Sequence, residues 1–156
     1  MPDVKRDADL WRRRFVLEPM RRIIRAVERD LVRVVEAEGY DGVRAAHLQV
    51  FAHVPRDEGM RMSVLADRLG VTAGAVSQVV DQLERMALVE RSRDPADGRA
   101  VRVRPTPAAE AGYEAGRRAI AERERRWAEL VGPSRWATFR SVLEEIAAHE
   151  QPADNG

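Results

Sequence analysis

Apolar residues recur along this chain at two different periods, and the switch between them divides the sequence. Leu17, Met20, Ile24, Val27, Leu31 and Val34 are spaced alternately three and four residues apart, the seam of a helix that packs along another helix. This predicts a helix over residues 10–38, with Pro19 either in its first turn or at a kink joining an earlier segment around Trp11 and Phe15. Glu38-Gly39-Tyr40-Asp41-Gly42 ends it. A second helix is predicted over 43–54, turning Ala46, Val50, Phe51 and Val54 inward, and Pro55-Arg56-Asp57-Glu58-Gly59 leads out of it.

From Ser63, whose hydroxyl can accept from a free backbone N–H, Val64, Leu65 and Leu69 repeat at one-face helical spacing. Gly70 then allows a left-handed cap, and Thr72 can cap another helix two residues later. Two short helices joined by so tight a turn form a helix-turn-helix. In the second of them Val76, Val79, Val80 and Leu83 lie on one stripe, while Ser77, Gln78, Asp81, Gln82 and Arg85 lie on the other. Its leading residues, Thr72, Ala73, Gly74 and Ala75, are all small, which suits insertion into a major groove about 12 Å wide with Ser and Gln close behind to meet base edges.

After Leu88 the period becomes alternating. Leu88-Val89-Glu90-Arg91 and Ala100-Val101-Arg102-Val103-Arg104 flank the turn-rich Asp94-Pro95-Ala96-Asp97-Gly98, which predicts a β-hairpin with a long tip. From Arg91 to Arg104 five arginines (91, 93, 99, 102, 104) stand against two aspartates (94, 97), a local charge of +3. A basic hairpin beside such a helix is a wing, placed to reach phosphates or the minor groove. Beyond it, Pro107 suits the first turn of a long helix carrying Tyr113, Gly116, Ile120, Trp127 and Leu130 or Val131. Gly132-Pro133-Ser134 breaks that helix, and a last one sets Trp136, Phe139, Leu143 and Ile146 on one face, before a tail over 151–156 expected to be disordered.

Several strings within this region resemble the MarR-type (multiple antibiotic resistance) transcriptional regulators. They are Leu65-Ala66-Asp67-Arg68-Leu69-Gly70-Val71-Thr72, Ala75-Val76-Ser77, Leu88-Val89-Glu90-Arg91, and the wing pattern Asp94-Pro95-x-Asp97-x-Arg99. The resemblance implies a mainly α fold with a small β-wing, in which residues 10–38 and 107–150 are dimerisation helices around a winged helix-turn-helix lobe at 43–104. It implies a recognition helix over 72–86, and a minor-groove arginine, Arg99, steadied by Asp97. Two departures stand out: Ala87 replaces the glycine usual before the Leu-Val of the wing, and Pro105-Thr106-Pro107-Ala108-Ala109 replaces the usual Leu-Thr-x-x-Gly.

The length of 156 residues suits one domain. A net charge of +1 carries no information about nucleic acid, so the wing's local excess does that work. Absence of cysteine excludes disulfides, thiolate metal sites and thiol redox switching. No signal-peptide run or 18-residue apolar stretch is present, which makes a cytoplasmic location the expectation, with no membrane partner.

The amphipathic helices outside the winged unit need a surface to bury against, and a second copy of the chain supplies one. Two-fold symmetry would then set two recognition helices about 34 Å apart, on a pseudo-palindromic site. The expected function is a homodimeric repressor that binds double-stranded DNA and needs no cofactor. Thr72, Gly74, Ser77 and Gln78 are expected at the groove floor, Arg68, Gln82 and Arg85 near phosphates, and Arg91, Arg93 and Arg99 on the wing. Trp11, Phe15, His47, Phe51 and Tyr113, with Trp127, are candidates for a pocket taking the aromatic or lipophilic effectors that the resemblance implies; packing is the plainer use of such residues. His47 and His53, six apart, point to different helix faces and make a poor metal pair. Asp81, Glu84, Asp94 and Asp97 lack the companions of a catalytic site, so they are read as orienting arginines, and an enzyme is not expected. The competing expectation is a winged helix that docks on another protein.

Overall fold

The computed structural model describes residues 15–150. Trp11, the predicted start of the first helix and the tail over 151–156 lie outside them. The elements, in order, are α1 (Leu17–Ala37), α2 (Ala45–His53), β1 (Met60–Arg61), α3 (Met62–Leu69), α4 (Ala73–Arg85), β2 (Val89–Arg93), β3 (Val101–Pro105), a 3-10 turn (Pro107–Ala109), α5 (Glu110–Val131) and α6 (Pro133–His149). The chain divides into two compact units, the first ending at Gly116 and the second beginning at Arg117, so α5 starts in one and ends in the other.

In the first unit the core gathers Val35, Val43, Val50, Val54, Leu65, Val76, Val80, Leu83, Leu88, Val89 and Val103 around the helix-turn-helix and its sheet. Burying a Val or Leu side chain stabilises a fold by about 1.5–3 kcal/mol, and Leu65, Val80, Leu83 and Val103 are wholly out of water. Some expected positions shift. The α1 residue that enters the core is Val35, next to the seam position Val34. On α2 the buried residues are His47 and Val50, while Ala46 is exposed. α3 starts at Met62 with Arg61 as its N-cap and no side-chain cap bond, so Ser63 does not cap it, and Val64 stays exposed beside buried Leu65 and Ala66.

The sheet has three strands in the order β1-β3-β2, both pairings antiparallel. β1, a strand of two residues, was not legible as an element, because so short a run has no period. It pairs Met60 with Val103 and Arg61 with Arg102. The close approach depends on Gly59, whose φ is +64° and where a Cβ would lie 2.5 Å from the Val103 carbonyl oxygen.

A buried carboxylate fixes the base of the wing. Asp94 is 3% exposed. Its Oδ2 accepts from Arg61 Nε at 2.7 Å and from Arg102 Nη1 at 3.0 Å, and its Oδ1 accepts from the Ala96 N–H at 2.8 Å. Arg102 also donates to the carbonyls of Glu58 (2.8 Å) and Gly59 (3.1 Å), tying β3 to the loop before β1. The bond from Arg61, then that from Ala96, then that from Arg102 hold the Asp94 carboxyl far below the usual carboxylate range.

α4 ends in a Schellman motif, with Leu88 N–H on the Leu83 carbonyl (2.9 Å) and Ala87 N–H on that of Glu84 (2.8 Å). Ala87 takes the left-handed position at φ 57°, where a Cβ is unfavourable. Thr106 then closes the corner after the wing: its hydroxyl donates to the Ala87 carbonyl at 2.6 Å, and its N–H donates to that of Leu88 at 3.0 Å. Pro107 therefore opens a 3-10 turn, and the long helix begins at Glu110. Tyr40 reaches the same corner, its hydroxyl donating to the Ala108 carbonyl (2.6 Å) and accepting from the Gly112 N–H (3.2 Å).

In the second unit Gly132, at φ 92°, turns the chain and Pro133 starts α6, at the predicted break. Trp136 lies 5.6 Å from Trp127 and 5.5 Å from Phe139 between ring centroids. No residue of α6 is buried, and Phe139, Val142, Leu143 and Ile146 are left exposed.

Two substitutions probe these joints. Replacing Ala87 by Gly is expected to stabilise the fold by about 0.5–1 kcal/mol, since glycine tolerates the left-handed conformation; the check is a higher denaturant midpoint at unchanged slope. For Asp94 the folded-state pKa is depressed, so its stabilisation is complete above the unfolded value of about 4 and is lost as pH falls below it. Asp94→Asn should lower the melting temperature at pH 7 and flatten its decline between about pH 4 and pH 2. Parallel melting curves for variant and wild type over that range would contradict this role.

Candidate nucleic-acid interface

α4 is fixed by what it buries. Val76 (1% exposed), Val80 and Leu83 (both 0%) lie against the core, so the opposite face is committed to the outside. Thr72 caps the helix, its Oγ1 accepting from the Ala75 N–H at 3.2 Å. Thr72, Gly74, Gln78 and Arg85 are exposed and Ser77 and Gln82 are half-buried. A Cβ added to Gly74 would meet no atom nearer than the Thr72 hydroxyl at 4.0 Å. The leading end is therefore slim, capped and open, as its residue types predict. Arg68, the last arginine of α3, is also exposed.

The five wing arginines separate into two groups. Arg91, expected to face DNA, is drawn inward: it pairs with Asp81 at 2.7 Å and with Glu84, and its Nη2 donates to the Ser77 carbonyl at 3.2 Å and hydroxyl at 3.3 Å. It is a strut between β2 and the middle of α4. Arg102 is held by Asp94, and Arg104 donates to Glu90, its cross-strand partner, at 3.1 Å. Arg93 and Arg99 remain exposed at the tip. Arg93 donates to the Gly98 carbonyl at 3.3 Å, while the Arg99 guanidinium has no hydrogen-bond partner among the described residues. Asp97 does steady Arg99, through the backbone: its Oδ1 accepts the Arg99 N–H at 3.1 Å.

The aromatic candidates are brought together only in part. Phe51 and Tyr113 meet edge to face at 5.2 Å, and the Tyr113 hydroxyl donates to the Phe51 carbonyl at 3.1 Å. Arg56 stacks on the Tyr113 ring at 4.3 Å and pairs with Glu110 at 2.8 Å. Burial pushes the Tyr113 phenol up to about 12. Phe15 is exposed, and Trp127 belongs to the second unit. His47 is 2% exposed and faces α4, where its Nε2 lies 2.8 Å from Gln82 Oε1. Sequence reasoning missed the pairing of His47 with Gln82 and the inward use of Arg91; acidic residues on α4, Asp81 and Glu84, were the available signal for Arg91, and His47 offered none. Among the described residues no group of His, Asp and Glu could hold a metal ion, and no helix is long and apolar enough to cross a membrane.

Comparison with known proteins agrees with this geometry. Residues 41–100, the winged helix-turn-helix up to the wing tip, match the sequence model of the MarR family. The chain is 30% identical over 93 residues to the HTH-type transcriptional repressor MdtR of Bacillus subtilis (strain 168), an alignment that takes in 58% of this chain and 60% of that protein's length. A MarR-family transcriptional regulator from Silicibacter pomeroyi superposes with a TM-score of 0.68 at 22% identity, over 90% of this chain and 92% of that one. The transcriptional repressor CouR, solved bound to a 23-mer DNA duplex, superposes with a TM-score of 0.63 at 24% identity, over 85% and 92% respectively. At such identities the solved structures carry the fold. Residues 41–100 thus match the sequence model of the MarR family, and the chain built around them has the winged-helix fold of these solved regulators.

Proposed function

We propose that this chain is a sequence-specific, double-stranded DNA-binding transcriptional repressor acting in the cytoplasm as a homodimer. The observation that carries the reading is the pairing, through Arg91, of a capped, slim-ended α4 with a wing whose exposed cations, Arg93 and Arg99, stand at its tip. A helix with small residues leading enters the major groove, and the tip arginines reach phosphate or minor groove beside it. Thr72, Gly74 and Gln78 would meet base edges, and Arg68 and Arg85 the flanking phosphates. Arg91 would act from behind, holding Ser77 and the helix at a fixed angle to the wing. The named repressor MdtR and the DNA-bound CouR support the same assignment.

The homodimer is inferred from uncovered apolar surface. α1 leaves Leu17, Met20, Ile23 and Ile24 exposed, and α6 leaves Phe139, Val142, Leu143 and Ile146 exposed. Apolar helix faces of this extent in a water-soluble regulator are interaction surfaces, and a second copy would present two recognition helices with half-sites about one turn apart. Selection of bound sequences from random duplex DNA tests the function: it should return a pseudo-palindrome, and a pool with no enriched sequence would defeat the proposal.

Arg99→Ala is expected to weaken operator binding by about 1–3 kcal/mol and to reduce the salt slope by roughly one charge. Anisotropy titrations at several salt concentrations measure both, and an unchanged slope would remove Arg99 from the interface. Sedimentation equilibrium at micromolar concentration should give a dimer, and Ile24→Glu should shift it toward monomer; a monomeric wild type would rule out the symmetric arrangement.

A further inference from the structure

We propose that His47, buried on α2, is a positioning residue for DNA recognition: it fixes the Gln82 carboxamide so that its NH2 group alone faces outward, as a donor to a backbone phosphate. The inference rests on the DNA-binding reading above. Its physical content is a chain of donors and acceptors whose direction is forced at the first step. The Arg44 backbone N–H can only donate, and it points at His47 Nδ1 at 3.2 Å. Nδ1 is therefore the bare nitrogen and Nε2 carries the proton. Nε2 then donates to Gln82 Oε1 at 2.8 Å, so the amide oxygen faces the core. Gln82 Nε2 has no partner among the described residues, and no buried side-chain nitrogen or oxygen among them lacks one, so the NH2 group reaches solvent.

This orientation has a chemical consequence. A glutamine in water presents oxygen or nitrogen with equal ease, whereas a phosphate oxygen only accepts. Locking the oxygen inward removes the wrong orientation and the entropy lost in selecting the right one. His47 suits the task because it is 2% exposed and sits between the first turn of α2 and the outward edge of α4. Gln82 lies one helical turn beyond Gln78, so it meets the duplex nearer its backbone than the leading residues do.

The experiment uses the full chain and a duplex taken from the selection described above, with anisotropy titrations and a melting temperature for each variant. Gln82→Ala should weaken binding roughly 5- to 20-fold, and His47→Leu should approach the same loss at retained fold. His47→Gln, whose amide nitrogen can donate where Nε2 does, should recover most of it. Adding Gln82→Ala to His47→Leu should cost nothing further, because one interaction is removed twice. Gln82→Glu, which turns an acceptor toward an acceptor, should bind more weakly than Gln82→Ala.

Should His47→Leu fail to fold, nitrogen-15 spectra of the wild-type protein stand in: His47 should show the Nε2–H tautomer, and the Gln82 NH2 resonances should move when duplex is added. A folded His47→Leu that binds like wild type, additive losses in the double variant, or Gln82→Glu binding as tightly as Gln82→Ala would each overturn the inference alone. Wild-type protein that binds no duplex overturns the DNA reading and the inference with it.

Discussion

The face that α4 gives to the core decides what its other face can do. Val76, Val80 and Leu83 are withdrawn from water almost completely, and rotating the helix by even a fraction of a turn would expose one of them. Large-to-small changes at such positions typically cost 2–5 kcal/mol, a large share of a domain's stability. Rotation about the helix axis is thus held by apolar packing. The tilt of the helix against the wing is held differently, by Arg91, whose guanidinium joins β2 to Asp81, Glu84 and the Ser77 carbonyl. An apolar stripe fixes which residues face out, and a bidentate cation fixes the angle at which they do so.

The charge of the wing is smaller than its composition suggests. Arg91, Arg102 and Arg104 are all paired with carboxylates inside the chain, and among the described residues Arg93 and Arg99 have no carboxylate partner. A hairpin with five arginines looked like a polycation; the folded one is a scaffold with a cationic tip. This changes the weight of the competing reading as a protein-docking module, because the exposed positive charge that disfavours docking comes from two tip arginines and not from all five. It also sharpens the case for DNA, since two cations placed at the end of a hairpin whose base is tied by Asp94 can reach into a groove, whereas a diffuse positive surface cannot.

The sequence was legible where periodicity was long or turn chemistry specific. The stripe of α4, the left-handed cap at Gly70, the Thr72 cap and the break at Gly132 all follow from residue types at fixed offsets. β1 was not legible, because a two-residue strand is defined by its partner, Val103, and by the space Gly59 leaves beside it. Ala46 was placed inward because hydrophobicity ranks alanine so, yet its neighbour His47 takes the buried position, since a histidine with both ring nitrogens paired loses little on burial. The arginines were counted correctly and assigned too uniformly: charge along a chain does not say which partner each cation finds across a sheet. Ala87 shows the reverse case, a residue type that disfavours its own conformation and is held there by the Schellman bonds and by Thr106.

The two ends of the wing differ in how they respond to ions, and this bears on how the proposed function can be tuned. The Asp94 carboxylate, between Arg61 and Arg102, has almost no exposure, and a pair with one buried partner is screened less than a pair of exposed charges. Arg99 at the tip is exposed, and attraction of such a cation to phosphate falls steeply as salt rises. In the proposed complex, raising ionic strength would therefore weaken the contact with nucleic acid without loosening the hairpin that presents it. A wing held by exposed pairs would lose its shape over the same range in which it loses its ligand, and its affinity would fall faster than counterion release alone requires. With Asp94 buried, the salt dependence of the proposed binding would report on the tip arginines and flanking phosphate contacts, while the geometry behind them stays constant.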